Sequence, residues 1–435
     1  MLYNEPSPLE VKVLTRRFGL PGGPSLDTYL ATDGFLGFRQ ALGMKPEEII
    51  AQVKISNLRG RGGAGFPTGL KWGFVPRDSA GPRYIVANAD EGEPGTCKDR
   101  LLMENDPHQL LEGMMIAGRA VGAHAGYIYV RGEYRYVLEI LEQAIAECRR
   151  AGYLGKNILG RGFDFELYAH TGAGSYECGE ESALLESLEG KRGVPRIRPP
   201  FPAVAGLYRC PTVLNNVESF SSIPVILREG GAAFAARGTP RDGGTRLYCI
   251  SGHVNRPGVY ELPVGFNLLR MLGEVAGGIR GGKKLKAVIP GGSSCPVLQA
   301  AECDLAMDYD TLAKAGSMLG SGGVIVIDED TCMARVAARV IRFYAHESCG
   351  WCIPCREGTA WLAKLLKRFH EGGGSRSDLD LAAEIARNML GRTFCPLGDA
   401  AALPTISIVE KFREEFEAHL EGRPCPFERV AGGEA

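Results

Sequence analysis

ESCGWCIPCR, at residues 347–356, carries three cysteines at CxxCxxC spacing, and a fourth cysteine, Cys395, stands before a proline. Three such thiolates joined by a distant fourth beside a proline are typical ligands of a cubane iron-sulfur cluster. Two intervening residues allow Cys349, Cys352 and Cys355 to fold around three corners of the cube. Cys395 then supplies the fourth corner. The pattern predicts a 4Fe-4S cluster and therefore transfer of single electrons.

Two other sites use cysteines at this spacing. One is a tetrahedral zinc site and the other is a redox CxxC pair. Zinc motifs usually pair two CxxC units across a loop, whereas here the second unit is a single cysteine. The spacing therefore favours iron-sulfur, with zinc as the alternative.

The composition is that of a globular protein with large cores. The chain has 435 residues, 45% apolar and 23% charged, with a formal net charge of -1. Its length suggests about three domains, and its near-neutral charge gives no electrostatic footprint for nucleic acid. Nine of the thirteen cysteines lie outside the motif and lack pairing spacing, which indicates reduced thiols and not a disulfide framework. These nine are Cys97, Cys148, Cys178, Cys210, Cys249, Cys295, Cys303, Cys332 and Cys425.

Targeting signals are not expected in this chain. It starts MLYNEPSPLEVK, with acidic residues and prolines where a signal peptide has a basic and then an apolar stretch. No run approaches the ~20 apolar residues that a membrane helix needs. Any membrane association would come from a partner.

The first 238 residues read as an α/β domain. Helical patterns at 46–56 and 133–150 accompany buried-strand patterns at 84–87, 127–130 and 163–169. Because a strand, a crossover helix and a strand follow one another, the sheet is predicted to be substantially parallel.

Two smaller domains are predicted after a Gly, Pro and Asp-rich linker at 237–244. Residues 239–330 combine a hairpin at 245–263 with a helix and further strands, which indicates a compact β-grasp-like unit. Residues 331–435 are predicted to form a four-helix bundle that holds the cluster cysteines. Its helices are predicted at 334–344, 359–370, 379–389 and 406–420.

A glycine-dense loop at 58–72 is the first candidate nucleotide site. Gly60, Gly62 and Gly65 satisfy GxGxxG, but a helix precedes them and a proline follows, so a conventional Rossmann fingerprint is not indicated. Glycines still let backbone amides approach phosphate oxygens, and Arg61 and Lys71 add cationic donors. A flexible surface loop is the alternative.

Two acidic loops follow strands. Asn88, Asp90, Glu91 and Glu93 come after the strand at 84–87, where open α/β sheets bind ligands. Residues 171–181 join a strand to a helix through glycines, which suits a phosphate or flavin. Carboxylates there would accept hydrogen bonds from ribose or ribityl hydroxyls and repel a 2′-phosphate. Solvated acidic turns are the alternative.

A pair of amides offers weaker support. Asn215 and Asn216, shortly after Thr212, could bond a flavin edge, although Asn pairs are also common in turns. Aromatic candidates for stacking on adenine or flavin, with core packing as the alternative, are Phe66, Phe74, Tyr176 and Phe201.

Together the segments 59–72, 88–95, 172–181 and 347–358 resemble the NADH-binding flavoprotein subunit of respiratory complex I, that is, the 51 kDa family of the NADH:quinone oxidoreductases. The resemblance spans nearly the whole chain, and its four motifs occur in the family order. It implies an α/β fold with a Rossmann-like FMN/NADH domain, a ubiquitin-like β-grasp (SLBB) domain and a C-terminal four-helix bundle holding a 4Fe-4S cluster.

The resemblance also implies a function and a set of site residues. NADH would pass a hydride to FMN, which needs no catalytic side chain, and electrons would leave through the cluster bound by Cys349, Cys352, Cys355 and Cys395. The implied residues of the FMN and NADH/NAD+ cavity are Gly60, Arg61, Gly62, Gly63, Gly65, Phe66, Lys71, Phe74, Asn88, Asp90, Glu91, Glu93, Tyr176, Gly179, Glu180, Glu181, Phe201, Thr212, Asn215 and Asn216. Cys97 and Cys178 depart from the family pattern by placing thiols near the flavin.

The implied setting is a translocase-type oxidoreductase. Expected partners are a thioredoxin-like 2Fe-2S subunit and the large iron-sulfur subunit, in a peripheral arm on the cytoplasmic side of the inner membrane. Diaphorase subunits of NAD-reducing hydrogenases or NAD-dependent formate dehydrogenases are the alternative, although these often carry further iron-sulfur domains for which this chain has no room. A non-catalytic zinc scaffold that merely binds nucleotide is the alternative from a different class.

Overall fold

A computed structural model describes residues 7–78, 81–420, 425 and 427. The first residues of the predicted N-terminal domain, 1–6, and the last of the predicted bundle, 428–435, lie outside the described residues. No helix within the described part of the chain is long and apolar enough to cross a membrane.

A four-stranded parallel sheet organises the N-terminal part. The strand order is β3-β2-β1-β4, with β1 Tyr84–Ala89, β2 Ala125–Val130, β3 Glu166–Thr171 and β4 Thr212–Asn216. Because β1 has β2 on one side and β4 on the other, all in parallel register, the carboxyl ends of the strands share one edge. The chain adds β2 and β3 on one side of β1 and then β4 on the other side. Doubly wound sheets bind ligands at the carboxyl edge where the strand order switches in this way.

Eleven α-helices in the described residues surround this sheet. They are α1 Leu26–Ala31, α2 Leu36–Gly43, α3 Pro46–Ile55, α4 Thr68–Gly73, α5 Lys98–Asn105, α6 Pro107–Val121, α7 Arg135–Arg150, α8 Glu181–Leu188, α9 Pro202–Ala205, α10 Val217–Glu229 and α11 Gly231–Ala235. Helices α6 and α10 are almost wholly buried and pack together. A Cβ at Gly113 of α6 would stand 2.0 Å from the carbonyl oxygen of Phe220, so only glycine allows this approach.

The sequence pattern missed β4, α5, α6 and α10. Asn215 and Asn216 end a central strand, and Asn216 caps α10, so they do not form the turn that was the alternative. Helices α6 and α10 bury polar residues such as Glu112 and Glu218 along with apolar ones, so the division into an apolar inner face and a polar outer face that reveals a surface helix does not describe them.

A mixed five-stranded sheet follows, with the order β6-β5-β9-β7-β8. Its strands are β5 Thr245–Gly252, β6 Gly258–Pro263, β7 Leu285–Ile289, β8 Leu298–Gln299 and β9 Gly323–Asp328. Only β5 and β9 pair in parallel. Helix α12 Leu268–Arg270, a π-helical turn Met271–Val275 and α13 Tyr309–Lys314 accompany it. The predicted hairpin and the β-grasp-like arrangement are therefore present.

The segment predicted as a linker is firmly held. Asp242 is 1% exposed, and the amide of Gly243 donates to the carbonyl of Asn57 at 3.0 Å. A Cβ at Gly243 would come within 2.0 Å of the Ser56 carbonyl oxygen. The glycines here serve close packing, so the predicted linker is a packed connection between α11 and β5.

Among the described residues, the C-terminal part of the chain is built from five helices. They are α14 Met333–Glu347, α15 Ile353–His370, α16 Arg376–Met389, α17 Leu397–Lys411 and α18 Arg413–Glu417. The predicted last helix, 406–420, was wrong at both ends. Helix α17 starts nine residues earlier, and the helix is interrupted at Phe412 before the short α18, which ends at Glu417. Helix α17 runs through Pro404, which is buried.

Candidate functional site

The four predicted cluster cysteines line one cavity. Cys349 follows α14, Cys352 caps α15, Cys355 lies in its first turn, and Cys395 precedes α17. Glu177, Pro195, Ser348, Trp351 and Phe394 complete the lining. Four sulfur donors between two aromatic side chains fit an iron-sulfur cluster.

The electrostatics of these thiols also suit a metal. Burial raises the pKa of Cys349 and Cys395 and brings that of Cys355 to about 11. Thiols in this setting remain protonated at neutral pH unless a cation lies among them. Iron would provide that charge, because a coordinating thiol gives up its proton.

The glycine loop and the neighbouring strand end approach closely. A Cβ on Gly62 would stand 3.2 Å from the Cβ of Asn216, and one on Gly65 would enter the ring of Tyr309 at 2.6 Å. Gly63 has φ +131° and faces open space. The backbone at Gly63 is thus open on one side, as approach of a phosphate group requires.

Arg61 does not meet the expectation of a cationic donor to phosphate. Its fully buried guanidinium donates to Asp242 Oδ1 at 2.7 Å and to the carbonyl of Gly243 at 2.7 Å. The side chain therefore fastens the glycine loop to the connection before β5. Its backbone amide donates to Ser219 Oγ at 2.9 Å.

Asn88 and Asp90 form an acceptor site at the end of β1. Asn88 Nδ2 donates to the carbonyl of Gly179 at 2.8 Å, and Asn88 Oδ1 accepts from the amide of Asp90. Burial raises the pKa of Asp90 to about 7, although Arg131 opposes the rise. Asp90 Oδ2 is buried and accepts no hydrogen bond from the described residues. An oxygen in that state fits a ligand that brings a hydroxyl donor.

Other predicted carboxylates already have partners within the protein. Glu91 accepts from the amides of Asp99 and Arg100 at the start of α5, so it caps that helix. Glu180 caps α8 through the amides of Ser182 and Ala183. These contacts give Glu91 and the Oε2 atom of Glu180 a helix-capping role, and the expectation that the two carboxylates serve sugar hydroxyls stays a prediction.

Glu93 and Tyr176 join three parts of the chain. Tyr176 donates from its hydroxyl to Glu93 Oε2 at 2.7 Å, and the amide of Ser294 donates to Glu93 Oε1 at 2.8 Å. The amide of Tyr176 donates to Glu347 Oε2 at 3.0 Å, and its ring packs edge-on against Phe343 of α14. The loop that follows β3 thus contacts the helix leading to Cys349 directly, and reaches the connection between β7 and β8 through Glu93.

A charged strip lies beside exposed aromatic rings. Glu181 Oε2 pairs with Lys71 Nζ at 3.0 Å, and Glu181 Oε1 pairs with Arg198 Nη1 at 3.1 Å. Burial opposes ionisation of Glu181, but the two cations outweigh it and lower its pKa. Phe66, Phe74 and Phe201 are each about half exposed nearby, with Phe66 and Phe74 in contact and Arg198 over Phe201.

The end of β4 belongs to a buried polar network. Asn215 Oδ1 accepts from Trp72 Nε1 at 3.0 Å, and Asn216 Nδ2 donates to Asp99 Oδ2 at 2.6 Å. Thr212 is fully buried and its hydroxyl bonds only the local chain, so the expectation that it contacts a cofactor was wrong for its side chain.

The sequence pattern missed several residues at this site. Lys98, Asp99 and Glu218 surround Asn216, Arg198 pairs with Glu181, and Glu177 lines the cysteine cavity. Glu177 lies inside the loop at 171–181 that the sequence had already indicated, so sequence reasoning could have found it. Lys98 and Asp99 stand in a polar stretch that resembles a solvated surface, so no local signal marked them.

Comparisons with known proteins agree with this geometry. Residues 53–225 match the Nuo51 FMN-binding domain, 246–326 the SLBB domain and 335–419 the NADH-ubiquinone oxidoreductase-F iron-sulfur binding region. A crystal structure of NAD+-reducing [NiFe]-hydrogenase in the H2-reduced state is similar, with a TM-score of 0.82 and 38% identity. The similarity covers 94% of this chain and 68% of that one.

Curated relatives are more similar in sequence. The second of the NADH-quinone oxidoreductase F subunits of Rhizobium meliloti is 54% identical, covering 95% of this chain and 99% of that relative. The NADH-quinone oxidoreductase F subunit of Streptomyces coelicolor is 53% identical, and the match covers 93% of this chain and 90% of that relative. The chain therefore belongs to the family of NADH-quinone oxidoreductase F subunits.

Proposed function

We propose that this chain is the NADH-oxidising flavoprotein subunit of a respiratory NADH:quinone oxidoreductase, a translocase-type enzyme. The observation that carries the proposal is the loop after β3, in which Tyr176 donates to Glu93 of the loop after β1 and the next residue, Glu177, lines the cysteine cavity. FMN, when bound, accepts a hydride from NADH and returns electrons one at a time.

The chain's own residues bind and orient. We propose that the backbone of the glycine loop at 60–65 binds a phosphate group of the ligand. Asn88 and Asp90 would accept hydrogen bonds from hydroxyl groups of the ligand. Phe66, Phe74 and Phe201 would offer apolar faces to an adenine ring. Cys349, Cys352, Cys355 and Cys395 would hold a 4Fe-4S cluster. No side chain need act as an acid or base, since hydride transfer belongs to the cofactor.

The proposed domains are residues 1–238 for FMN and NADH, 239–330 for the SLBB-type unit and 331–435 for the cluster. The proposed partners are a thioredoxin-like 2Fe-2S subunit and the large iron-sulfur subunit. The chain would lie in the peripheral arm, on the cytoplasmic side of the membrane.

A diaphorase role in a hydrogenase is the second candidate, favoured by the similarity to the NAD+-reducing [NiFe]-hydrogenase structure. The identity of 38% to that chain is lower than the 54% to the Rhizobium meliloti relative. The sequence comparison therefore supports the quinone-reducing complex.

The proposed function predicts the cofactor content of the purified chain. We expect one FMN, released on denaturation and measured by fluorescence, together with the four irons of a 4Fe-4S cluster. Addition of NADH should bleach the flavin absorbance and support reduction of ferricyanide. A preparation that retains zinc in the cysteine cavity and binds no flavin would instead support the scaffold alternative.

Glu181 is predicted to select NADH over NADPH. Its carboxylate forms ion pairs with Lys71 and Arg198, and both cations could otherwise pair with a 2′-phosphate. Glu181→Gln removes the negative charge and frees these cations, so kcat/KM for NADPH should rise about tenfold or more, equivalent to ~1.4 kcal/mol. NADH oxidation at saturating substrate should change much less.

Glu180→Gln provides the comparison, since Glu180 caps α8 and lies 3.5 Å from Arg198. The measurement is NADPH-dependent ferricyanide reduction by the two variants. If neither variant gains NADPH activity, the role of these carboxylates in selecting the dinucleotide is wrong.

A further inference from the structure

Cys332, His419 and Cys425 meet in the helical part, away from the predicted cluster ligands. Cys332 caps the start of α14, His419 lies two residues past the end of α18, and Cys425 belongs to the C-terminal stretch. One ligand atom from each lies within 4.8 Å of the others, and all three residues are buried. The sequence spacing gave no sign of this cluster, because 87 residues separate Cys332 from His419.

The imidazole of His419 is oriented for a ligand. Its Nδ1 lies 2.6 Å from the carbonyl oxygen of Glu415. A carbonyl can only accept, so Nδ1 carries the proton and Nε2 presents its lone pair. That lone pair faces Cys332, with Nε2 and Sγ 3.4 Å apart. Histidines that bind metals are usually held in this way, with the second ring nitrogen donating to a carbonyl or carboxylate.

Cys332 is placed to carry negative charge. Its Sγ accepts from the amide of Arg335 at 3.4 Å, at the positive end of the fifteen-residue helix α14. Burial nevertheless raises its pKa. A thiolate at this position would therefore be favoured by a cation among the three side chains.

We propose that Cys332, His419 and Cys425 bind one Zn²⁺, with a water molecule as the fourth ligand. Two thiolates and an imidazole are zinc ligands of the kind found in tetrahedral protein sites. On binding, the two cysteines lose their thiol protons to solvent and the zinc forms two Zn–S bonds and one Zn–N bond. No electron is transferred. The zinc fastens the C-terminal stretch, through Cys425, to the helical part.

This site is separate from the iron-sulfur cavity. Cys332 stands at the start of α14, whereas Cys349 follows its end. The fifteen residues of α14 lie between them and span about 22 Å. Loss of one metal should therefore leave the other in place.

The test measures zinc and iron together in the anaerobically purified holoprotein. We expect one zinc per chain in addition to the four irons of the cluster. Zinc K-edge absorption should show two sulfur scatterers near ~2.3 Å and lighter scatterers near ~2.0–2.1 Å. Cys332→Ser and Cys425→Ser should lose the zinc and keep the iron.

Cys303→Ser is the matched control, because Cys303 is also buried but bonds only the carbonyl of Gln299. It should keep both metals. Wild-type protein without zinc, even after addition of equimolar Zn²⁺, would overturn the proposal. So would a Cys332–Cys425 disulfide found by mass spectrometry of the anaerobic protein, or zinc retained in both serine variants. If a serine variant fails to fold, the zinc K-edge spectrum of the wild-type protein alone tests the proposal, through the presence or absence of two sulfur scatterers.

Discussion

Cys395→Ala should abolish electron transfer from NADH to quinone in the assembled complex while leaving NADH-dependent reduction of ferricyanide largely intact. Cys395 lines the cavity with the three motif cysteines but reaches it from the loop before α17. Without its thiolate, one corner of the cubane lacks a protein ligand, and the cluster should be lost or reduced to three irons. The loss should exceed the ~10–100-fold effect typical of residues that only support metal ligands.

The measurements are iron content, the electron paramagnetic resonance signal of the reduced cluster, and the two activities. Flavin content should be unchanged, because no residue proposed to bind FMN is altered. Cys210→Ser provides the control, since Cys210 is half-buried and lies outside this cavity. Normal quinone reduction by Cys395→Ala would mean that electrons leave the chain by another route.

The cysteine ligands were predictable because their chemistry imposes a local spacing. Three thiolates at CxxCxxC must sit close together whatever the surrounding fold, so the sequence alone indicated a shared site. Cys395 was predictable from its proline neighbour and from the need for a fourth ligand. The structure brings all four residues to one cavity.

The nucleotide loops were found for a similar reason, but the roles of their side chains were not. Arg61 and Glu91 have the charges that a nucleotide site requires, yet each is used by the fold: Arg61 pairs with Asp242, and Glu91 caps α5. Such pairings depend on segments distant in sequence, since 181 residues separate Arg61 from Asp242. Residue type indicates what a side chain can bind, whereas the tertiary fold determines which partner it has.

The buried network around Lys98 is the clearest case, because nothing local marked it. Lys98 is 1% exposed, and its Nζ lies 2.8 Å from Asp99 Oδ1 and 2.7 Å from Glu218 Oε2. Burial opposes its charge, but the two carboxylates outweigh that effect and raise its pKa above the usual value. Glu218 also accepts from the amide of Leu247 at the start of β5, so the network joins the parallel sheet to the mixed sheet.

Lys98→Met should therefore destabilise the protein severely. The methionine fills similar volume but leaves Asp99 and Glu218 buried without their cation, a change that typically costs about 3–5 kcal/mol. Thermal unfolding of the holoprotein, at fixed FMN and NADH concentrations, should show a large fall in melting temperature. Because Asn216 bonds Asp99 beside Gly62, the variant should also release FMN more readily.

Lys156→Met is the matched control, because Lys156 also pairs with a carboxylate, Asp164, at 2.8 Å but is almost fully exposed. Water screens that pair, so its loss should leave the melting temperature unchanged. Adding Glu218→Gln to Lys98→Met should recover part of the stability, since one of the two unpaired charges is then gone. If Lys98→Met melts like Lys156→Met, the network does not depend on the lysine charge. The join between the two sheets must then rest on apolar packing and backbone hydrogen bonds.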